Sequence, residues 1–270
     1  MPTRTLLTST SLADAALLTH TEQGRDWPLL VWAPGPGVRM VSSAVLGGGI
    51  GEREWVINAQ VPPGYDRLDA VAHLRDLAAG AGLTGAGVGL MTAASVADRC
   101  HAEDGGVRAV VTAGIGVRGW AAAPGVGGVT IPRPGTINII VSLPVPLTDA
   151  ALVNAVATAT EAKVQALVEL GANASGTPTD AVCVAAPIAT GPRPSPSPGP
   201  GPGPGPGPGS VTRPGTGPRP DTVPSTGTGT GTGTGTQAEP FAGPRSLWGA
   251  RLARAVHAAT RAACAGLITP

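Results

Sequence analysis

The chain contains one tyrosine, one phenylalanine and one lysine, and its formal net charge is only +1. It therefore lacks both the basic surface and the row of stacking aromatics that hold nucleic acid. The three cysteines, Cys100, Cys183 and Cys264, are odd in number, far apart and free of any Cys-x-x-Cys spacing. Neither a disulfide framework nor a zinc knuckle is suggested, and a reducing cytoplasmic setting is expected. His20, His73, His101 and His257 are dispersed without metal-ligand spacing, and Cys100-His101 leads into Glu103 and Asp104 in what reads as an acidic loop. No metal and no cofactor are expected. No basic stretch followed by an apolar one opens the chain, and no apolar run approaches the about 20 residues of a spanning helix. The expectation is a soluble, cytoplasmic protein that is not exported and has no membrane or nucleic-acid partner.

What is abundant is glycine, with 41 residues, and proline, with 29. Much of both lies in residues 191–236, a Pro-Ser, Pro-Gly and then Gly-Thr repeat without apolar periodicity. Such a tract cannot bury enough surface to offset its ordering entropy and reads as a disordered tether. Three parts follow: an α/β domain over 1–190, the linker over 191–236, and a terminal segment over 237–270 that docks back. In that segment Leu247, Leu252, Val256 and Ala259 fall at helical spacing.

Strands are expected at Leu29–Trp32, Val38–Leu46, Trp55–Val61, Gly87–Thr92, Val107–Gly114, Thr136–Leu143 and Ala181–Ala186. Helices are expected at Arg67–Ala79, with a stripe of Leu68, Val71, Leu74 and Leu77, and at Asp149–Leu170, with a short one over Ala93–Cys100. This alternation argues for a layered α/β or α+β domain around a mixed sheet.

The chemistry-bearing residues gather in one strand-helix-strand unit, residues 134–186. Thr148 can cap its helix, Asp149 favours the positive end of the dipole, and Gly171 ends it. Asn154, Thr158, Glu161 and Gln165 share one stripe, whereas Lys163 falls with Leu152, Val156, Ala159 and Leu167 on the apolar one. A lysine there either snorkels over the core edge or reaches into a pocket. The turn Ser175-Gly176-Thr177-Pro178-Thr179-Asp180 concentrates hydroxyls and a carboxylate. It reads either as a self-bonded polar turn or as a site in which Asp180 acts as base or orienting group, with Thr177 or Thr179 on the substrate. Ser42 and Ser43 precede the run Gly47-Gly48-Gly49, whose backbone N–H groups could cradle an oxyanion or simply form a hairpin. Asn58 and Asn138 alternate with apolar neighbours within strands and face either a site or backbone groups needing partners.

The order of these runs resembles the adenosylcobinamide amidohydrolase family of corrinoid salvage. It is carried by Ser42-Ser43-Ala44 with its glycines, Gly89-Leu90-Met91-Thr92-Ala93, Gly135-Thr136-Ile137-Asn138-Ile139-Ile140, Thr160-Glu161-Ala162-Lys163 and Gly176-Thr177-Pro178-Thr179-Asp180-Ala181. It covers about Val38 to Ala186 and, more weakly, the last helix from Phe241. After Gly243-Pro244 the family tends to carry a histidine and a lysine, whereas this chain has Arg245-Ser246-Leu247. The resemblance implies hydrolysis of the amide joining a corrin side chain to aminopropanol, releasing adenosylcobyric acid. The corrinoid would be substrate, not cofactor. On that basis Asp180, Lys163 and Asn138 are candidate catalytic groups. Ser42, Ser43, Gly48, Asn58, Thr136, Glu161, Thr177 and Thr179 are candidates for substrate binding, with the attacking oxygen belonging to water or to one of the hydroxyls. The competing readings are a non-catalytic corrinoid-binding protein and an amidohydrolase acting on another amide. A homo-oligomer is compatible with all three.

Overall fold

The computed structural model describes residues 9–124, 135–190 and 236–268. The expected tether lies almost wholly outside the described residues. Among the described residues ten strands form two sheets: β1 (Ala16–Glu22), β2 (Arg25–Trp32), β5 (Trp55–Gln60) and β6 (Gly87–Thr92) in that spatial order, and β4 (Gly49–Glu52), β3 (Val38–Ser42), β10 (Ala181–Pro187), β9 (Gly135–Ser142), β8 (Val107–Ile115) and β7 (Cys100–Asp104) in the other. Within each sheet one pair is parallel, β5 with β6 and β9 with β10, and the remaining neighbours are antiparallel. Each parallel pair is joined by a helix, α1 (Ala70–Gly80) in the first sheet and α2 (Asp149–Glu169) in the second. Parallel neighbours require such a crossover. The mixed α/β class is as the sequence implies, with two sheets where one was expected.

Strand alternation sorts the side chains into three apolar layers. Leu29, Val31, Ile57 and Ala59 pack against Leu74 and Ala78 of α1. Their alternates Leu30, Trp32, Val56, Val88 and Leu90 face Met40, Val110, Ile140, Cys183 and Ala185 of the second sheet. On the far side of that sheet Val111, Ile139, Val141, Val182 and Val184 meet Leu152 and Ala159 of α2 and Leu252 and Val256 of α3 (Leu247–Cys264). The order of layers is helix, sheet, sheet, helices.

The cap at α2 forms as its sequence suggests, the Thr148 hydroxyl oxygen accepting from Ala151 N at 3.1 Å and Gly171 taking φ +82° beyond the end. The polar stripe of α2 is not wholly solvated. Thr158 Oγ1 donates to Ala242 O at 2.8 Å and Asn154 Oδ1 accepts from Ala242 N at 3.3 Å, so the stripe fastens the segment entering α3. At the other end Glu169 of α2 meets both His257 Nε2 at 2.8 Å and Arg261 Nη1 at 2.7 Å on α3.

Three expectations need correction. Ala93–Cys100 is not a helix: the Thr92, Ser95 and Gln60 side chains accept from the backbone N–H groups of Ala94, Asp98 and Val96, a local competition that helix formation loses. Leu68 lies ahead of α1 and is fully exposed, and His73 takes a buried place on that helix. Cys100 to Asp104 is a strand, not a loop, paired with Val107–Val111 of β8.

Candidate active site

Between the two sheets, where β3, β5 and β6 end and β9 and β10 begin, lies a cavity of about 510 Å³. Apolar groups of Ala44, Val45, Val61, Leu90 and Met91 form much of its wall. Its polar edge is made of hydroxyls: Ser43, Thr92, Thr136, Thr179 and the phenol of Tyr65. An apolar concavity with a few polar groups is the usual form of a small-molecule site, and this one lies at strand ends where loops can vary without disturbing the core.

The Thr136 and Thr179 oxygens are 2.5 Å apart. Thr179 Oγ1 donates to Gly135 O at 3.1 Å, so its single proton is committed and Thr136 supplies the proton of the shared bond. Thr179 is exposed at the cavity and Thr136 is buried behind it. Ser43 continues the β3–β10 ladder: its N–H donates to Val182 O at 3.0 Å, and its hydroxyl oxygen accepts from Val182 N at 3.0 Å. Accepting there leaves the Ser43 proton for a ligand. Thr92 Oγ1 likewise accepts from Ala94 N at 3.0 Å.

Lys163 and Asp180 meet, but not in the cavity. Lys163 Nζ donates to Asp180 Oδ2 at 2.5 Å, with side-chain exposures of 9% and 12%. Asp180 also accepts from Thr177 N at 3.1 Å, Thr177 Oγ1 at 2.5 Å and Ile137 N at 2.8 Å. Four donors occupy its two oxygens. Alternation puts Ala181 of β10 on the inter-sheet side with the cavity and Val182 on the helix side, so Asp180 and Lys163 sit on the helix side. Gly176 permits the pair, since a Cβ at that position would run into both Asp180 Oδ2 and Lys163 Nζ. The ion pair thus clamps the turn that presents Thr179 on the opposite face.

Asn138 and Asn58 are both 1% exposed and tie the sheets together. Asn138 Nδ2 donates to Asn58 Oδ1 at 2.9 Å and to Met91 O at 3.1 Å, and Asn58 Nδ2 donates to Thr112 Oγ1 at 3.0 Å. They lie beneath the cavity lining, not in it. Ser42 is also outside it, with its hydroxyl donating to Val182 O and accepting from Ala44 N, both at 3.0 Å. The glycine run is a tight crossing from one sheet to the other. Gly47 has φ +71° and a Cβ there would collide with Gly87 O, while a Cβ on Gly48 would come within 2.7 Å of Ala44 O. Gly48 does not line the cavity, and neither does Thr177. Glu161 is exposed on α2 and is not brought to the site.

Of the expected substrate-binding residues, Ser43, Thr136 and Thr179 converge. Sequence reasoning did not single out Thr92 or Tyr65. Thr92 was visible as a member of a recognisable run, Gly89 to Ala93, while Tyr65 sits in a Pro-Gly-rich turn with no periodic signal. Cys183 lies in the inter-sheet core, where burial pushes its thiol up to about 12, so it is no nucleophile. Arg245 is exposed just before α3 and lies outside the lining. Among the described residues no group of three or more His, Cys, Asp or Glu could hold a metal, and no helix is long and apolar enough to cross a membrane.

The layered α/β scaffold, with its parallel strand pairs opening onto an apolar, hydroxyl-edged cavity, has the form of a small-molecule site. The family model described as adenosylcobinamide amidohydrolase matches residues 14–204, which span the whole cavity lining. The adenosylcobinamide amidohydrolase of Methanosarcina mazei is 37% identical over 143 residues, 53% of this chain and 67% of that protein. The chain belongs to the adenosylcobinamide amidohydrolase family. No solved structure matches it.

Proposed function

We propose that the chain hydrolyses the amide between a corrin side chain and aminopropanol in adenosylcobinamide, releasing adenosylcobyric acid for reuse in corrinoid salvage. The observation that carries this reading is the convergence of Ser43, Thr92, Thr136 and Thr179 hydroxyls on one cavity in a member of this family. A corrin with its side chains and axial adenosyl group exceeds about 510 Å³, so the cavity takes the aminopropanol arm and the ring rests at the mouth. Val45, 55% exposed, and Leu68, fully exposed two residues before the lining residue Ala70, offer that ring apolar surface.

Amide hydrolysis needs an attacking oxygen, donors for the developing oxyanion and a proton for the leaving amine. In this reading a free lone pair of the Thr136–Thr179 pair orients the attacking water; one water proton passes to the leaving amine as the C–N bond breaks, and the rest of the water becomes part of the new carboxyl group. Ser43, with its proton uncommitted to the backbone, donates to the carbonyl oxygen. Lys163 and Asp180 act as positioning residues that hold the Thr179 turn, and Asn138 and Asn58 fix the spacing of the sheets behind it. Incubation of the protein with adenosylcobinamide, followed by mass spectrometry, is the test. Release of adenosylcobyric acid together with aminopropanol is expected, and its absence from folded protein would overturn the assignment.

A further inference from the structure

The loop from Pro62 to Ala70 brings Tyr65 to the cavity wall, and behind Tyr65 lies a cluster that the hydroxyl site does not use. Tyr65 OH is 2.9 Å from His73 Nδ1, and the two rings stack with centroids 5.6 Å apart. His73, 3% exposed on α1, places Nε2 3.3 Å from Glu22 Oε2 of β1. Glu22 Oε1 is in turn 3.3 Å from Arg67 Nε, and its side chain is only 9% exposed. Three elements therefore converge on one buried imidazole.

Glu22 Oε2 stands 3.3 Å from Nε2 and a carboxylate can only accept, so its charge favours the tautomer of neutral His73 that carries its proton on Nε2. Nδ1 is then a lone pair. Tyr65 must donate to it, which turns the lone pairs of the phenol oxygen away from His73 and leaves them free to accept. Protonating His73 reverses this polarity: Nδ1–H donates to the phenol oxygen, and the phenol proton has to swing away.

We propose that Tyr65 is a substrate-contacting residue that accepts a hydrogen bond from an N–H group of the amide-bearing ligand, and that His73 and Glu22 are positioning residues that set its polarity. The proposal rests on the corrinoid reading above, whose substrate carries amide N–H groups around its rim. It makes ligand affinity sensitive to acid through His73. The charged and titratable groups facing His73 are Glu22 of β1, which favours its protonation, Arg67 and His20, which oppose it, and Asp69, which favours it weakly. Burial is the largest influence and, with Arg67, holds His73 below its ordinary 6.5. Burial also raises Tyr65, so the phenol keeps its proton at neutral pH.

Equilibrium binding of adenosylcobinamide to the full chain, followed by absorbance from pH 8 to pH 5.5, tests this together with steady-state KM and kcat. Tyr65→Phe keeps the stack on His73 but removes the oxygen. Its affinity at pH 7.5 should fall by about 3- to 10-fold, the worth of one neutral hydrogen bond, with KM rising more than kcat falls. Wild-type affinity should weaken on acidification below pH 6.5, and that dependence should flatten in Tyr65→Phe. A Tyr65→Phe variant that matches wild type in affinity and pH profile, while wild type turns over adenosylcobinamide, overturns the role of Tyr65 alone. Failure of wild type to bind the ligand overturns both readings. Nitrogen NMR of His73 in the wild-type protein is an independent check: Nε2 protonated and Nδ1 bare at pH 7.5 supports the arrangement, and the opposite tautomer refutes it.

Discussion

Replacing either member of the Lys163–Asp180 pair should cost very different amounts, although among the described residues each is the other's only ion-pair partner. In Lys163→Met, Asp180 keeps three of its four donors, Thr177 N, Thr177 Oγ1 and Ile137 N. The loss is that of one charged hydrogen bond, about 1–3 kcal/mol. In Asp180→Ala, Lys163 is left at 9% exposure without its counter-charge, and the N–H groups of Ile137 and Thr177 lose their acceptor. Stranding a buried charge costs about 3–5 kcal/mol, and the orphaned donors add to it. The double variant Lys163→Met/Asp180→Ala removes the stranded ammonium and should be more stable than Asp180→Ala alone by at least about 1 kcal/mol. Urea denaturation of the four proteins measures this directly. Equal losses in the two single variants, with a double variant at their sum, would refute the clamp.

Gly176→Ala should also destabilise strongly, since its Cβ meets the same ion pair, and the denaturation midpoint is the readout. Gly47→Ala should do so for a different reason, φ +71° combined with a clash of the new Cβ with the Gly87 backbone, whereas Gly24→Ala, at φ +69° but in open space, should cost only the strain of about 1 kcal/mol. Because the folded state holds His73 below 6.5, its contribution to stability is complete above that pH and is lost as pH falls through the folded value. The midpoint should therefore drop between pH 7.5 and 5.5, and less steeply in His73→Asn. Arg39→Ala breaks a bidentate pair with Asp149 at 2.6 and 2.8 Å, but on the surface, and should change stability by no more than about 1 kcal/mol.

The buried architecture was the legible part. All the strands with two covered faces or strong β-branched content were readable from their sequence, and β6 has the expected bounds, Gly87–Thr92. The three unread strands, β1, β4 and β7, are all sheet edges. An edge faces solvent on one side and tolerates the residues seen here, Gly49-Ile50-Gly51-Glu52 in β4 and Cys100-His101-Ala102-Glu103-Asp104 in β7, which carry no apolar alternation. Lys163 shows the limit of periodicity at the site. Its place on the apolar stripe was readable, but whether that stripe faced a cavity or a strand turn depended on which side of the second sheet α2 lies. For the same reason Asp180 looked catalytic in sequence: a carboxylate among threonines is the same pattern whether its lone pairs are free or bound by four donors. Tyr65 and His73 are eight residues apart in a region with no shared period, and Glu22 belongs to an unread edge strand, so their meeting had no signal.

The most direct test of the cavity as the reaction site is turnover of adenosylcobinamide by Thr136→Val and Thr179→Val, compared with Glu161→Gln on the exposed face of α2, all at matched folded fraction. The two threonine variants should each lose about 100-fold or more in kcat/KM, and Glu161→Gln should be unchanged. Near wild-type turnover in both threonine variants would contradict the assignment of chemistry to this cavity.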